Sequence, residues 1–437
     1  MMTELRTEQD GNFQGLLSNL YGQLNQTDVL QKLRSKAWDH FLEIGLPTRK
    51  TEVYRYLRLR NLYARNYVPA SPTEVSADQI IPHILPECKQ SVLVFVNGHF
   101  TPALSRTEGI TQRAVVSSLF EAMRTYGSFL NNHWAKSLKE ETDSFAAINT
   151  ALHQDGLFLY LPPKTIIEAP IQILNVIDTQ SASMFIMPRL QVFVGAQSQL
   201  ALVSTQAVLS GENYAINMLS DIAIEDDAHV RYTQEACGSG ENIWHFDALR
   251  TTLKRNSTFK TFAVTDGAAA VRHDYRVTLT GENAETQLNG VWMLQDKNEA
   301  HVHILIDHQA PNCRSMQLFK GVLNDFSRSS FEGKILVRQA AQKTEAFQLN
   351  NNILLSDRAN ADSKPNLEIF ADDVKASHGA TVGQLDKEQI FYMKTRGFSE
   401  AAAKNILVYG FCQEVIDLIQ IPSVHTKLCD LAHGYLT

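Results

Sequence analysis

From about Leu157 to Gly383 the chain alternates apolar and polar residues in short runs with almost no helical period, and this texture constrains the fold most. Gln191–Val194, Asp221–Ile224, His229–Tyr232, Arg276–Leu279 and His301–Ile304 read as strands. Successive side chains leave a strand on opposite faces, so each run can bury one row and expose the other. Small polar turns separate them: Gly195–Ser198, Glu225–Ala228, Lys254–Ser257, Gly281–Ala284 and Lys297–Ala300, then others around Asn312, Asp325, Gln342, Ala359 and Asp373. In the second half the turns recur every 12–17 residues, and earlier at about twice that spacing. Such an array with no helices in between is what a solenoid needs, because stacked rungs merge their inward rows into one core. The expectation is a mainly β fold built as a β-helix; the raggedness of the repeat leaves a β-sandwich as the alternative.

Helical periodicity frames the array. Leu30, Leu33, Ala37 and Phe41 recur at helical spacing, and Gly45-Leu46-Pro47-Thr48 ends the run. Thr51–Leu57 reads as a short helix start, and the Pro-, Ser- and Thr-rich stretch Val68–Asp78 as a boundary. Val92–Val96 reads as a strand entering a tight Asn97-Gly98 turn, and Val115–Leu152 as helical, closed by Asp155-Gly156. Past Gly383, Lys387–Arg396 reads as a helix with Gly397 at its C′ position. Ser399 N-caps the next, which carries Leu407, Phe411, Val415 and Ile416 and stops before Pro422, making a two-helix unit. The expected division is an N-terminal helical domain (1–90), a β-helix core (91–383, with a helical segment at about 115–152) and a C-terminal helical domain (384–437).

Composition narrows the function. Of 437 residues 44% are hydrophobic and 20% charged, the balance of a soluble globular protein. A net charge of −7 argues against coating nucleic acid, which calls for a basic stripe. The start, MMTELRTEQDGNF, has no basic segment leading into an apolar one, and no window approaches the ~18 apolar residues of a membrane span. A cytoplasmic protein that engages neither membrane nor nucleic acid is expected. Cys88, Cys237, Cys313, Cys412 and Cys429 are scattered, with no CxxC pair. They read as thiols, and a four-thiolate metal site made by this chain alone is not expected. Phosphate-cradling, serine-hydrolase, zinc-protease and dinucleotide motifs are all absent from the sequence.

The remaining candidates each have a plainer reading. Asp226/Asp227 and Asp372/Asp373 fall in turns, where Asp bonds nearby backbone N–H groups. Carboxylates paired across a cleft would instead suggest a carbohydrate-active β-helix enzyme. His301 and His303 share one strand face at a metal-ligating spacing, with His308 nearby, but rung-facing histidines are more simply hydrogen-bonded. In Asp372–Gly383 a two-residue period puts Val374, Ala376 and His378 on one face. A histidine among small and apolar neighbours reads first as a satisfied core residue. The functional reading is a neutral imidazole offered to a metal, with Gly379 leaving room for approach.

Ala340–Gln348 with Asn350–Asp357, Lys364–Ile369, the His378 segment and Gln389–Gly397 closely resemble the SufB/SufD family of iron–sulfur cluster assembly scaffold proteins. So do Asp307-His308 with Pro311, Ser315–Gly321 and Phe331–Ile335. Weaker anchors are Gly45–Thr48 with Glu52, Asn97-Gly98 and Asp155-Gly156. The Ala-Ser-His-Gly-Ala-Thr-Val-Gly run is similar to the SufD branch, and Asn350–Ile353 lacks the cysteine of SufB-like chains. The resemblance implies a right-handed parallel β-helix core with helical N- and C-terminal domains, and a non-catalytic scaffold subunit of the SUF system. It implies a SufB-like paralogue bound through the β-helix and a SufC-like ABC ATPase bound by the C-terminal helices, here around Phe391, Tyr392, Arg396 and Gly397. A transient cluster, held stably by neither chain alone, would be shared with SufB at His378; an isolated chain could pair with itself. Many SufD-like chains carry cysteine where this one has Ala376, so a possible second ligand is missing beside His378.

Overall fold

The structure is a computed structural model describing residues 2–24 and 27–435. A β-solenoid of about eight turns fills its middle. Each coil contributes one strand to each of two parallel sheets. The front sheet begins with Leu157–Leu161, Arg189–Val194 and Tyr214–Ile224, and ends with Glu299–His308, Arg328–Val337 and Asn360–Ile369. The back sheet begins with Val92–Val96, Ile171–Asp178 and Gln199–Ser210, and ends with Glu285–Leu294, Arg314–Leu323, Thr344–Leu354 and Val374–Gly383. The long strands His229–Leu253 and Thr258–Leu279 serve both, bending from back to front near Gly238–Gly240 and Gly267. Gly267 has φ +77°, and a Cβ there would overlap the Gly238 carbonyl, so this corner needs glycine.

Thr258, Glu285, Arg314, Glu345 and Lys375 stack in register, so a coil takes 27 to 31 residues. The 12–17-residue spacing of turns is therefore half a coil. The doubled spacing between Glu225 and Gly281 arises where His229–Leu253 and Thr258–Leu279 run through a corner unbroken. All solenoid strands pair in parallel with the next coil, which excludes a β-sandwich of antiparallel strands.

The polar turns are stacked corners. Gln197, Asp227, Asn256, Asn283, Asn312 and Lys343, one per coil, have φ of 54–59°. Asn and Asp tolerate this left-handed region better than most residues. Each donates its N–H to a carbonyl of the next coil, as Asn256 does to Glu282 and Asn312 to Gln342. Side chains extend the ladder: Asn256 Nδ2 donates to Asp227 Oδ1 at 2.8 Å and Asn283 Nδ2 to Asn256 Oδ1 at 3.0 Å. Inside, Val192, Ile222, Leu249, Val277, Ile304 and Ile306 form one continuous buried core. Each side chain of this size contributes roughly 1.5–3 kcal/mol on burial.

Helices cover the two outer faces. On the front, Gln31–Ile44, Leu119–Glu140 and Ser144–Leu152 meet the early coils, with Phe145 stacked on Phe246 at 3.8 Å and Trp134 buried beside Phe158 and Phe193. On the back, Glu400–Ile416 and Pro422–Gly434 bury Val408, Cys412, Val424 and Leu428 against Val264, Val291 and Val322. Three expectations change. Val115–Ser118 is a strand antiparallel to Leu157–Leu161, and the helix begins only at Leu119, capped by the Ser118 hydroxyl. Thr51–Leu57 supplies a single 3₁₀ turn, Glu52–Tyr54. Pro422 opens a further helix rather than closing the fold, because proline is well suited to the first helical position, where no N–H bond is lost. The C-terminal unit thus has three helices, Lys387–Thr395 being the first.

Candidate functional site: the open end and the C-terminal helices

The two ends of the solenoid differ. At the first, Val115–Ser118 and the hairpin strand His99–Phe100 pair antiparallel with the edge strands. At the last, Asn360–Ile369 and Val374–Gly383 are paired on one side only among the described residues. In a parallel strand a residue directs its N–H and C=O to the same side, and successive residues alternate. Asn360 and Phe370 donate to the preceding coil, so the odd-numbered residues between them face outward. Pro365 is one of these, and its missing N–H costs the sheet nothing while blunting that edge. The equivalent alternation, set by Glu345 donating to Cys313 one coil earlier, turns the backbone groups of Ala376, His378, Ala380 and Val382 outward. That edge has no proline and keeps its donors.

His378 lies in this strand opposite buried Gln348. Val374 and Ala376 pack on Ile335, Val337 and Ala346, but His378 is exposed. The reading of His378 as a satisfied core histidine fails because the coil that would cover it is absent. Among the described residues no group of three His, Cys, Asp or Glu side chains stands at metal-binding distance. Four thiols are pushed up by burial, Cys88, Cys237 and Cys412 to about 12 and Cys313 to about 11, so none is poised as a thiolate.

The other histidines are not brought together. His301 is held by Glu299 at 3.1 Å and Ser330 at 2.7 Å, His303 by Asp274 at 2.8 Å, and His308 by Ser315 at 2.9 Å. Asp226 and Asp227 sit in a corner, where Asp226 Oδ1 accepts the Arg255 N–H at 3.0 Å and Asp227 carries the left-handed φ. Asp372 and Asp373 occupy the equivalent bend in the last coil.

On the C-terminal helices Phe391 and Tyr392 are 69% and 57% exposed, with Phe398 and Ile406 also in solvent. Arg396 lies over the Tyr392 ring at 5.0 Å and donates to its hydroxyl at 2.9 Å. Gly397 has φ +92° and turns the chain into the Ser399 cap. Beside them a groove of about 570 Å³ is walled by Leu355, Leu385, Ile390 and Phe391 and rimmed by Lys387, Lys394 and Lys404. Contiguous exposed aromatics of this kind mark interaction surfaces.

Sequence reasoning missed a buried ion cluster that fastens the N-terminal helices to the front sheet. Arg250 bridges Glu141 (2.7 Å) and Asp274 (2.9 Å), and Arg272 bridges Asp274 (2.8 Å) and Asp143 (3.7 Å) while lying over the Tyr54 ring. Its members are far apart in sequence, so no local pattern could reveal it.

A parallel solenoid flanked by N- and C-terminal helices, with its last strands paired on one side only among the described residues, defines a class: a β-helical protein with an open end. The chain belongs to the SufBD family. The family model described as the SUF system FeS cluster assembly SufBD core domain matches residues 176–411, and that of the SufBD N-terminal region matches 18–173. An iron–sulfur cluster assembly SufBD family protein of Synechocystis is 29% identical over 434 residues, covering 97% of this chain and 95% of that one. The iron–sulfur cluster assembly protein SufD of Escherichia coli is 30% identical over 389 residues, 87% and 86% of the two chains. A chloroplast protein of Arabidopsis thaliana, ABCI7, is 25% identical over 402 residues, 89% and 82%. This chain is thus a homologue of SufD of iron–sulfur cluster assembly. No described helix is long and apolar enough to cross a membrane.

Proposed function

We propose that this chain is a non-catalytic, SufD-like scaffold in the cytoplasm, joined to a SufB-like paralogue and a SufC-like ATPase. The open edge Val374–Gly383 carries the reading: a paralogue with a similar edge can add a strand there, its backbone groups meeting those of Ala376, His378, Ala380 and Val382. The exposed imidazole of His378 then lies at the seam, one ligand for a nascent cluster whose thiolates come from the neighbour. A cargo held between two chains can be released by moving them, which a cage inside one chain does not permit. The Phe391–Tyr392 surface supports docking of the ATPase, whose nucleotide-driven dimerisation would open the seam by rigid-body rotation.

Co-expression with SufB-like and SufC-like chains, followed by size-exclusion chromatography and anaerobic iron and sulfide determination, tests this. Ala380→Pro removes an outward N–H and should prevent SufB co-elution while leaving the chain folded; unchanged co-elution would exclude this edge. His378→Ala should keep the complex and lower cluster assembly, and wild-type cluster yield would exclude the ligand role.

A further inference from the structure

A second cavity, of about 330 Å³, lies where the segment Asp417–Ile421 crosses the outer face of the back sheet, several coils before the open end. Two cations line it side by side, Arg231 exposed and Lys260 half-buried. Arg231 and Lys260 are in register on adjacent strands, ~4.8 Å apart at the backbone. Neither makes an ion pair or side-chain hydrogen bond among the described residues. Like charges directly opposite on a sheet destabilise it. Other solenoid cations face a carboxylate on the neighbouring coil, among them Lys254 with Glu225 at 2.7 Å and Arg314 with Glu345 at 3.5 Å. Asn289, only 7% exposed, lines the same cavity, and its amide has no partner among the described residues. The exposed remnant of Asn289 opens into this cavity, so its amide is free to bond whatever occupies it. The facing wall is aliphatic, from Leu418, Ile419 and Ile421. Two carboxylates also reach the cavity: Glu168, and Asp417, which is engaged by His425 at 3.2 Å.

We propose that this cavity binds a small amphipathic anion. Its carboxylate or phosphate head sits between Arg231 and Lys260 within reach of Asn289, and its apolar body lies against Leu418–Ile421. Such a ligand would tie the C-terminal helices to the middle of the solenoid.

The test uses the full chain and the fluorescent anion 8-anilinonaphthalene-1-sulfonate. One saturable site per chain is expected, weakened at least about tenfold in Arg231→Gln/Lys260→Gln, since two charge-assisted contacts are lost. Lys260→Arg should retain the site, and circular dichroism of the double variant should match the parent. Phe391→Asp, in the other groove, should leave probe binding unchanged. Competition with decanoate and decyl phosphate separates a carboxylate from a phosphate head, and displacement by either supports the site. Unchanged affinity in the double variant, loss of the site in Phe391→Asp, or displacement by neither competitor would overturn it.

Discussion

Arg250→Met probes the join between the N-terminal helices and the solenoid. The guanidinium is buried and fully used. Nε and Nη2 reach Glu141 at 2.7 and 3.0 Å, Nη2 also reaches Asp274 Oδ1 at 2.9 Å, and Nη1 donates to the Asp274 carbonyl at 2.7 Å. Methionine fills similar space without the charge, leaving two buried carboxylates short of a partner. Breaking a buried pair this way costs about 3–5 kcal/mol. The lower end applies, because Asp274 keeps Arg272 and His303 and Glu141 keeps Arg276 at 3.7 Å. At roughly 2.1 cal/mol/K per residue, 437 residues unfolding together give about 0.9 kcal/mol/K, so Tm should fall by about 3–4 °C. Differential scanning fluorimetry measures it. Glu141→Gln added to Arg250→Met removes one orphaned charge and should recover part of the loss. A single variant within 1 °C of the parent, or a double variant no better than the single, would refute the account of the cluster as a clasp.

Acid should unfold the protein through the same groups. Burial alone would raise Glu141 and Asp274, but Arg250 with Arg276, and Arg250 with His303, hold them below the usual carboxylate range. Their stabilisation is present above the unfolded values near pH 4 and lost as pH falls through the lower folded values. Tm should therefore drop steeply below about pH 4, and less steeply in Arg250→Met. Gly321→Ala should destabilise by about 1–3 kcal/mol in urea titrations, because the added Cβ overlaps the Trp292 indole nitrogen and Asn352 Oδ1 in the packed interior. Phe391→Asp/Tyr392→Asp should leave Tm within about 1 °C, since both side chains are exposed, yet abolish co-purification with the SufC-like ATPase.

The alternating strands and polar turns were legible because corner chemistry is local. An Asn or Asp that accepts a left-handed φ announces itself wherever it falls, and Asp227, Asn256, Asn283 and Asn312 all lie at or beside the expected turns. The pairing of strands was not legible, since a register such as Thr258 to Glu285 depends on coils closing on one another. The same limit explains His378. The two-residue period put it correctly on a face with Val374 and Ala376, but only the whole solenoid reveals that no coil follows to bury it. Val115–Ser118 looks helical in sequence because four residues joining a long helical pattern carry too little period of their own, and their partner Leu157–Leu161 lies beyond two helices. Arg231 and Lys260 gave no signal either. They are unremarkable along the chain and become neighbours only across the ladder.

The geometry also constrains how the helices could influence the open end. Glu400–Ile416 is seated on Glu285–Leu294 and Arg314–Leu323, and Lys320 Nζ fastens it to the Phe411 carbonyl at 2.8 Å and to Glu414 at 2.5 Å. From Arg314–Leu323 the edge strand Val374–Gly383 is two ladder steps away, ~10 Å, through Thr344–Leu354 in unbroken register. Continuous backbone hydrogen bonds over that distance leave little to flex. A force applied to the exposed helix faces should therefore move the edge as one body with the sheet, rather than deform the strand that carries His378.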